Sequence, residues 1–323
     1  MKSFILLLFV INTLKIVEIR RGYTLKKISL ILKKYDVIKD PYIFIFLSKI
    51  TGNEKKIRSG KYILPEHLGE FRTLIWLVKG KGRITQIKVT IPEGLASFEI
   101  ARILYQKCGV DTIEFMQKVN DTIFIKKFSK KYKILDGINS LEGFLFPSTY
   151  YFYYDAPPEE IIEVMVEEFF KNFDSLWIKK SKELGYTFYD VLKIASLVEK
   201  EAIVEREKPV IASVFYNRLK KGYFLQSNVT ILYVLRKHKA WLSEEDLNIE
   251  SPYNTYKYKG LPPTPICNPS ISSIKAALNP AKTNYLYFVT KWDGTHFFAK
   301  TFKEHIRNKL RSRKILRKMK EKK

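Results

Sequence analysis

Residues 194–202 read Ile194-Ala195-Ser196-Leu197-Val198-Glu199-Lys200-Glu201-Ala202, an apolar helical stretch with one carboxylate set into it. At about 3.6 residues per turn, Glu199 has small or apolar neighbours on the turns before and after it, while Lys200 points elsewhere. An apolar setting favours the neutral form of a carboxyl, which is the form that donates a proton. The pattern therefore predicts a helix that presents Glu199 to a groove. Periodicity alone leaves open a structural glutamate at the edge of a solvated face, and Glu201 competes for the same role from a different face.

Polar and proline residues bound this helix. Asp190 is expected to be its N-cap, and Pro209 marks its limit. A second helix is predicted over Val210 to Leu219, and Gly222 can close it in the left-handed region. Downstream, the Pro-rich segments 251–256 and 260–269 are typical of pre-ordered loop walls.

The N-terminal part of the chain shows a second pattern. A strand is predicted over Leu14 to Ile19, helices over Leu25 to Tyr35 and Pro41 to Lys49, and a strand around Gly60 to Leu64. Residues 87–105 repeat the order of strand, glycine turn and helix, with the turn at Pro92-Glu93-Gly94. The fold class expected from these elements is α+β, with a small βααβ module first.

Composition bounds the class of protein. The chain has 323 residues, of which 46% are hydrophobic and 14% aromatic, so it should be folded. Its 58 Lys and Arg against 33 Asp and Glu give a net charge of +25, which indicates attraction to polyanions or a general lysine bias. The basic residues are spread along the chain, which argues against a nucleic-acid partner. Two distant cysteines and four histidines without ligand spacing predict neither a disulfide framework, nor a metal, nor a cofactor.

Both ends of the chain carry unusual segments. Residues 1–13 include eight consecutive bulky apolar residues, Phe4 to Ile11, which is short of the roughly 20 that span a bilayer. We expect the trailing part of a membrane anchor here, with a buried first strand as the alternative. Residues 307–323 hold ten basic residues and one acid, which predicts a solvated helix or tail, with contact to anionic lipid as the alternative.

Several polar residues are candidates for holding a sugar. Glu142 lies in the aromatic segment 141–152, and aromatic faces beside a carboxylate commonly bind sugar rings, although a core segment whose Glu142 caps a turn fits the pattern too. Other side chains on helices and loops suit hydroxyl, N-acetyl or lactyl groups. These are Asn217, Arg218, Gln226, Ser227 and Thr230, with Tyr253 and Asn254 in the first Pro-rich segment.

Seven motifs occur in a fixed order along the chain. They are Ile91-Pro92-Glu93-Gly94, residues 141–147 (LEGFLFP), residues 195–201 (ASLVEKE), Asn217-Arg218-Leu219, Leu225-Gln226-Ser227, residues 251–256 (SPYNTY) and Gly260-Leu261-Pro262-Pro263. Together they resemble the signatures of the YceG-like family, the endolytic murein transglycosylases, from about Leu14 to about His305. The resemblance implies a LysM-like module over residues 14–80, a larger mixed α/β catalytic domain over residues 81–306, and Glu199 as the catalytic acid.

Three positions depart from the family pattern. Asn228-Val229-Thr230 stands where the family usually has Asp-Pro-Thr, Ser148 stands where it usually has an acid, and Thr264 stands where it usually has glycine. Glu199 and Glu142 are unaffected, so we expect altered substrate contacts and retained activity.

The resemblance also implies a reaction and a setting. The enzyme would cleave the β-1,4 bond between N-acetylmuramic acid and N-acetylglucosamine, leave 1,6-anhydromuramoyl ends, and so terminate or trim nascent strands without a cofactor. Expected partners are peptidoglycan glycan strands, peptidoglycan synthases, and the plasma membrane through the N-terminal segment, with the catalytic domain on the extracytoplasmic side. Glu142, Asn217, Arg218, Gln226, Ser227, Tyr253 and Asn254 are the expected substrate contacts. The alternative is a non-catalytic LysM-type protein that only binds the cell wall.

Overall fold

The computed structural model describes residues 13–84, 86–237, 239 and 241–321, and the fold class is α+β as predicted. The strands are β1 (Leu14–Ile19), β2 (Gly60–Pro65), β3 (Ile87–Thr90), β4 (Thr149–Phe152), β5 (Tyr287–Thr290) and β6 (His296–Ala299). In the described residues they pair as β1 with β2, β3 with β4 and β5 with β6.

Helices make up most of the remaining regular structure. They are α1 (Leu25–Lys34), α2 (Pro41–Ile50), α3 (Glu70–Lys79), α4 (Ser97–Cys108), α5 (Thr112–Val119), α6 (Thr122–Ser129), α7 (Pro158–Lys171), α8 (Leu176–Glu183), α9 (Phe188–Glu201), α10 (Lys208–Lys220), α11 (Asn228–Leu235), α12 (Glu244–Leu247), α13 (Ile271–Leu278) and α14 (Phe302–Glu321). Short 3-10 turns lie at Lys133–Leu135 and Glu205–Glu207.

The chain divides into two compact units. The first comprises the described residues up to Val89 together with 103–111 and 150–161, and the second comprises 90–102, 112–149 and the chain from Ile162 onward. The expected division into residues 14–80 and 81–306 stays a prediction, as does the LysM-like character of the first part.

The first unit contains the predicted strand, helix, helix, strand order. Strands β1 and β2 are antiparallel, with Val17 opposite Tyr62, and both side chains are fully buried. Alternate residues of each strand point to one face, so this face of the sheet packs against α1, α2 and α3. The sequence prediction omitted α3, which follows β2 directly and adds Leu74 and Leu77 to the core.

Helix α9 is the centre of the second unit. Its residues from Val191 to Val198, Lys193 excepted, are buried, and it packs against α8, α10, α11 and α13. The helix ends at Glu201, before the predicted limit at Pro209. The predicted N-cap was wrong, because Thr187 caps the helix and Asp190 occupies the third position of a capping box.

The two ends of the chain differ in how much the structure describes. The expected anchor at residues 1–13 lies outside the described residues except for Thr13. The described part of the basic C-terminal segment, residues 307–321, belongs to α14, which packs against β5 and β6 and accepts a hydrogen bond on Ser312 from the Trp292 indole. Among the described residues, no helix has both the length and the apolar character needed to cross a membrane.

Candidate active site

Glu199 lies in the last turn of α9, and only 11% of its side chain is exposed. Its Oε2 atom accepts hydrogen bonds from the backbone N–H of Ser270 at 3.1 Å, from Ser270 Oγ at 2.6 Å and from Ser273 Oγ. Ser270 is also the N-cap of α13, so the carboxylate lies at a helix N-terminus, where backbone dipoles favour an anion. In the part of the chain that the structure describes, every hydrogen bond to Glu199 ends on Oε2. Oε1 is therefore the oxygen that is not engaged by these residues.

A cation completes this arrangement. Lys208, the first residue of α10, is 4% exposed, and its Nζ atom lies 3.8 Å from Glu199 Oε2. Ser272 Oγ, at 2.6 Å, and the carboxylate of Glu205 bind the same ammonium group. The predicted apolar setting of Glu199 is thus only part of its environment, because residues distant along the chain add polar groups that helical periodicity does not register.

The Pro92-Glu93-Gly94 turn covers the other side of Glu199. Gly94 has φ +75°, and a Cβ atom built on it would lie 3.3 Å from Glu199 Cγ. The turn is held by Lys200, whose Nζ donates to the Gly94 carbonyl at 3.0 Å. Glu93, in the middle of this turn, is an exposed residue. Partial burial of its carboxyl, followed by the charge of Glu199, raises its pKa. Position 94 needs a glycine both for its positive φ and for the space beside Glu199.

Asn268 fixes the loop that leads to Ser270. The side chain is 1% exposed, and its Oδ1 atom accepts from the backbone N–H groups of Gly143 and Leu145 at 3.0 and 2.8 Å. Its Nδ2 atom donates to the carbonyl of Leu95 and to Glu142 Oε1, both at 3.0 Å. One buried amide therefore joins the 141–147 motif, and Leu95 directly after the first motif, to the loop that holds Glu199. This Pro-rich segment is an ordered wall, as expected.

Glu142 is placed in the interior, at 2% exposure. Both of its oxygens accept from the Ser97 N–H, at 3.0 and 3.1 Å, and Tyr233 donates to Oε2 at 3.3 Å. Burial raises the pKa of Glu142 to about 7, and these hydrogen bonds partly oppose the shift. Since both of its oxygens accept hydrogen bonds from the protein, Glu142 positions the residues that surround the loop of Glu199.

Glu201 has different partners from Glu199. Its Oε1 atom accepts from Ser227 Oγ at 2.6 Å, and burial raises its pKa. The two carboxyls, two residues apart on α9, thus lie in separate surroundings.

Among the described residues, no group of His, Cys, Asp and Glu side chains could hold a metal ion.

The other expected substrate contacts fall into two groups. Asn217 donates to the carbonyls of Thr283 and Tyr285, and Asn254, which is fully buried, donates to those of Leu247 and Ile249. These amides fasten backbone segments.

The three further candidates are Tyr253, Arg218 and Gln226. Tyr253 forms a hydrogen bond of 2.8 Å with Thr264, and its ring lies 5.0 Å from that of Tyr233. Arg218 and Gln226 line a separate cavity. Thr264, one of the departures from the family pattern, is thus accommodated by its hydrogen bond with Tyr253.

Sequence reasoning missed four residues of the site, Lys208, Asn268, Ser270 and Ser273. A signal for Ser270 was present, because serine directly before the apolar run of α13 is typical of an N-cap. No local signal connects these residues to Glu199, which is 71 positions before Ser270 in the chain.

Comparisons with known proteins agree with the family resemblance that the motifs carry. The family model described as the YceG-like family matches residues 17–311. The endolytic murein transglycosylase of Bacillus subtilis (strain 168) is 36% identical over 302 residues, which cover 91% of this chain and 83% of that protein. The enzyme of the same name from Streptococcus pneumoniae (strain R6) is 35% identical over 316 residues, covering 90% of this chain and 57% of that protein. A crystal structure of a yceG-like protein from Listeria monocytogenes, 34% identical, superposes with a TM-score of 0.62 and covers 91% of this chain and 98% of that one.

Proposed function

The chain belongs to the YceG-like family, and on this premise we propose that it cuts murein glycan strands at internal positions with Glu199 as the acid. Its relatives named endolytic murein transglycosylase make it a lytic murein transglycosylase, which is formally a lyase. The bond cut is the β-1,4 bond between N-acetylmuramic acid and N-acetylglucosamine, and the new end is a 1,6-anhydromuramoyl group.

The reaction needs one carboxyl group used twice. Glu199 donates its proton to the glycosidic oxygen, and the bond from that oxygen to C1 of the muramoyl residue breaks. The C6 hydroxyl of the same residue then attacks C1, and the Glu199 carboxylate takes the proton of that hydroxyl. Because the nucleophile belongs to the substrate, its proximity lowers the barrier, and no second carboxylate is required as it is in ordinary glycosidases.

The observation that supports this proposal most directly is that only one oxygen of the Glu199 carboxylate, Oε2, accepts hydrogen bonds from the described residues. Oε2 is fixed by Ser270 and Ser273 with Lys208 nearby, so the orientation of Oε1 is set before substrate arrives. Preorganised donors of this kind are the usual way in which a protein keeps a catalytic group in its productive geometry.

Mass spectrometry of glycan strands tests the proposal. Purified strands are incubated with the wild-type chain, with Glu199→Gln, and with Glu201→Gln as the matched control on the same helix. We expect internally cut strands with anhydro ends from the wild type and from Glu201→Gln, and none from Glu199→Gln. Anhydro ends from Glu199→Gln would refute the assignment of the acid. If no variant cuts but all bind strands, the protein is a wall-binding module.

The proposal also includes the cellular setting of the enzyme. The family resemblance suggests that the enzyme terminates or trims nascent strands, works beside peptidoglycan synthases and is held at the plasma membrane by residues 1–13. Co-purification of the 323-residue chain with membranes, compared with a chain that begins at Leu14, tests the last of these statements.

A further inference from the structure

A cavity of about 280 Å³ lies in the second unit, between the end of α10 and the start of β5. Its walls include Arg218, Tyr223, Phe224, Gln226, Lys259 and Tyr287. As far as the structure describes it, the lining contains two cations, three aromatic rings and no carboxylate. Such a lining suits an anionic group attached to an apolar body.

Arg218 is the fixed element of this cavity. It is 8% exposed, its Nε atom donates to the Leu286 carbonyl at 2.6 Å, and its Nη1 atom donates to the carbonyls of Phe224 and Leu225 at 2.9 and 2.8 Å. A guanidinium has five N–H donors, and these bonds leave the two on Nη2. Within the described residues, the Nη2 atom of Arg218 has no hydrogen-bond partner. It is also not one of the side-chain nitrogen and oxygen atoms that are both inaccessible to solvent and without a hydrogen bond. A buried cation therefore offers a free pair of donors to the cavity.

The surrounding side chains favour a ligand with both charge and apolar surface. The Arg218 guanidinium lies 5.0 Å from the centre of the Tyr287 ring, which fixes its plane. Lys259 is exposed, and its Nζ atom lies 5.6 Å from the centre of the Phe224 ring. Gln226 adopts a positive φ of 51°, which is uncommon for a residue other than glycine and is often found at binding sites.

The cavity is linked to the helix of the proposed acid. Ser227, next to Gln226, donates to Glu201, and Glu201 is two residues after Glu199 on α9. The wall of the cavity and the helix that carries Glu199 are therefore joined by a direct hydrogen bond within the second unit.

We propose that this cavity binds a carboxylate of the peptide carried by the muramoyl residues of a murein strand. This inference rests on the proposed function for the identity of the polymer. The carboxylate accepts from Nη2 of Arg218 and is attracted by Lys259, while the aliphatic part of the peptide contacts the aromatic rings. The enzyme thereby distinguishes strands that still carry peptides from bare glycan.

Calorimetry with a soluble probe tests the proposal on the intact wild-type chain. The probe is the disaccharide N-acetylglucosaminyl-N-acetylmuramic acid carrying a tetrapeptide, which has no bond of the kind that the enzyme cuts. The comparison is the same molecule with the carboxyl groups of its peptide amidated, because the disaccharide without peptide has a free lactyl carboxylate. We expect the free peptide carboxylates to strengthen binding about tenfold, since a carboxylate gains two charged partners. The charge reversal Lys259→Glu should abolish this gain, whereas Lys220→Glu, on an exposed residue outside the cavity, should preserve it. Arg218 is left unchanged because it also holds three backbone carbonyls.

The outcomes separate this inference from the proposed function. Equal affinity for the two probes, or a gain that survives Lys259→Glu in a chain with unchanged Tm, would overturn the inference, even if the enzyme cuts strands. Inorganic phosphate that displaces the probe at equal concentration would also overturn it, because the cavity would then be a general anion site. A carboxylate-dependent gain in a chain that cuts no strands would support the cavity and refute the activity.

Discussion

Glu199 and Glu142 are two motif carboxyls of the same unit, and the structure uses them differently. Glu199 is 11% exposed and has one oxygen held by serines while the other has no hydrogen bond among the described residues. Glu142 is 2% exposed, and both of its oxygens accept hydrogen bonds from the protein. A carboxyl that is to move a proton needs an unused oxygen that a substrate can reach. A carboxyl whose oxygens are all engaged can only position its neighbours, and here Asn268 connects that positioning to the loop that holds Glu199.

Apart from substitution of Glu199, the proposed acid, the largest effect on turnover is expected at the serine that binds its carboxylate. Ser270→Ala removes a donor to Glu199 Oε2 and frees the carboxylate to rotate, so kcat should fall about 100-fold. It should also cost about 1 kcal/mol of stability, because Ser270 caps α13. The matched control is Ser243→Ala, which removes the cap of α12 at a similar cost in stability. Equal loss of turnover in both variants would mean that the contact with Glu199 is unimportant.

A smaller effect is expected at the turn above Glu199. Gly94→Ala places a methyl group 3.3 Å from Glu199 Cγ and forces a residue with a side chain into φ +75°. We expect about a tenfold loss of kcat and about 1 kcal/mol of destabilisation. Gly22→Ala is the matched control, since Gly22 has φ +80° and no atom within 4 Å of the added methyl. Turnover measurements on both variants separate backbone strain from the clash, and unchanged turnover in Gly94→Ala would contradict the close approach.

The smallest effect on turnover is expected for Glu142→Gln, and its main consequence is a change in how stability depends on pH. Its pKa is about 7 in the folded chain and 4.5 as the ordinary value, so the folded state holds the proton more tightly. The resulting stability is present below about pH 4.5 and is lost as the pH rises through 7, a change of about 3 kcal/mol. Urea unfolding of the wild type and of Glu142→Gln at pH 5 and pH 8 should show a larger loss of stability in the wild type, because the raised pKa values of Glu201 and Glu93 act equally in both proteins. The same pH dependence in both proteins would contradict the burial of this carboxyl.

The sequence predicted the elements better than the site. Strand β1 and helices α1, α2 and α10 were predicted to within two residues, because each has a clear period and the three helices also have a capping or proline signal. The cap of α9 was misassigned although Thr187 and Asp190 form a recognisable capping box. Glu199 could be singled out because its motif is local, and its role as the acid stays a prediction. Its partners Ser270 and Ser273 come from more than 70 residues away, and only tertiary packing brings them together.

Isosteric substitution of the two carboxyls is the most direct test of the difference between them. The measurement is the rate of strand cleavage by Glu199→Gln and by Glu142→Gln, each with the Tm of the same preparation. Glutamine keeps the shape and much of the hydrogen bonding but cannot donate an acidic proton. We predict that Glu199→Gln is folded and loses at least about 1,000-fold in rate, while Glu142→Gln stays within about tenfold of the wild type. Cleavage by Glu199→Gln at the wild-type rate, or a folded Glu142→Gln that is as inactive as Glu199→Gln, would contradict the assignment.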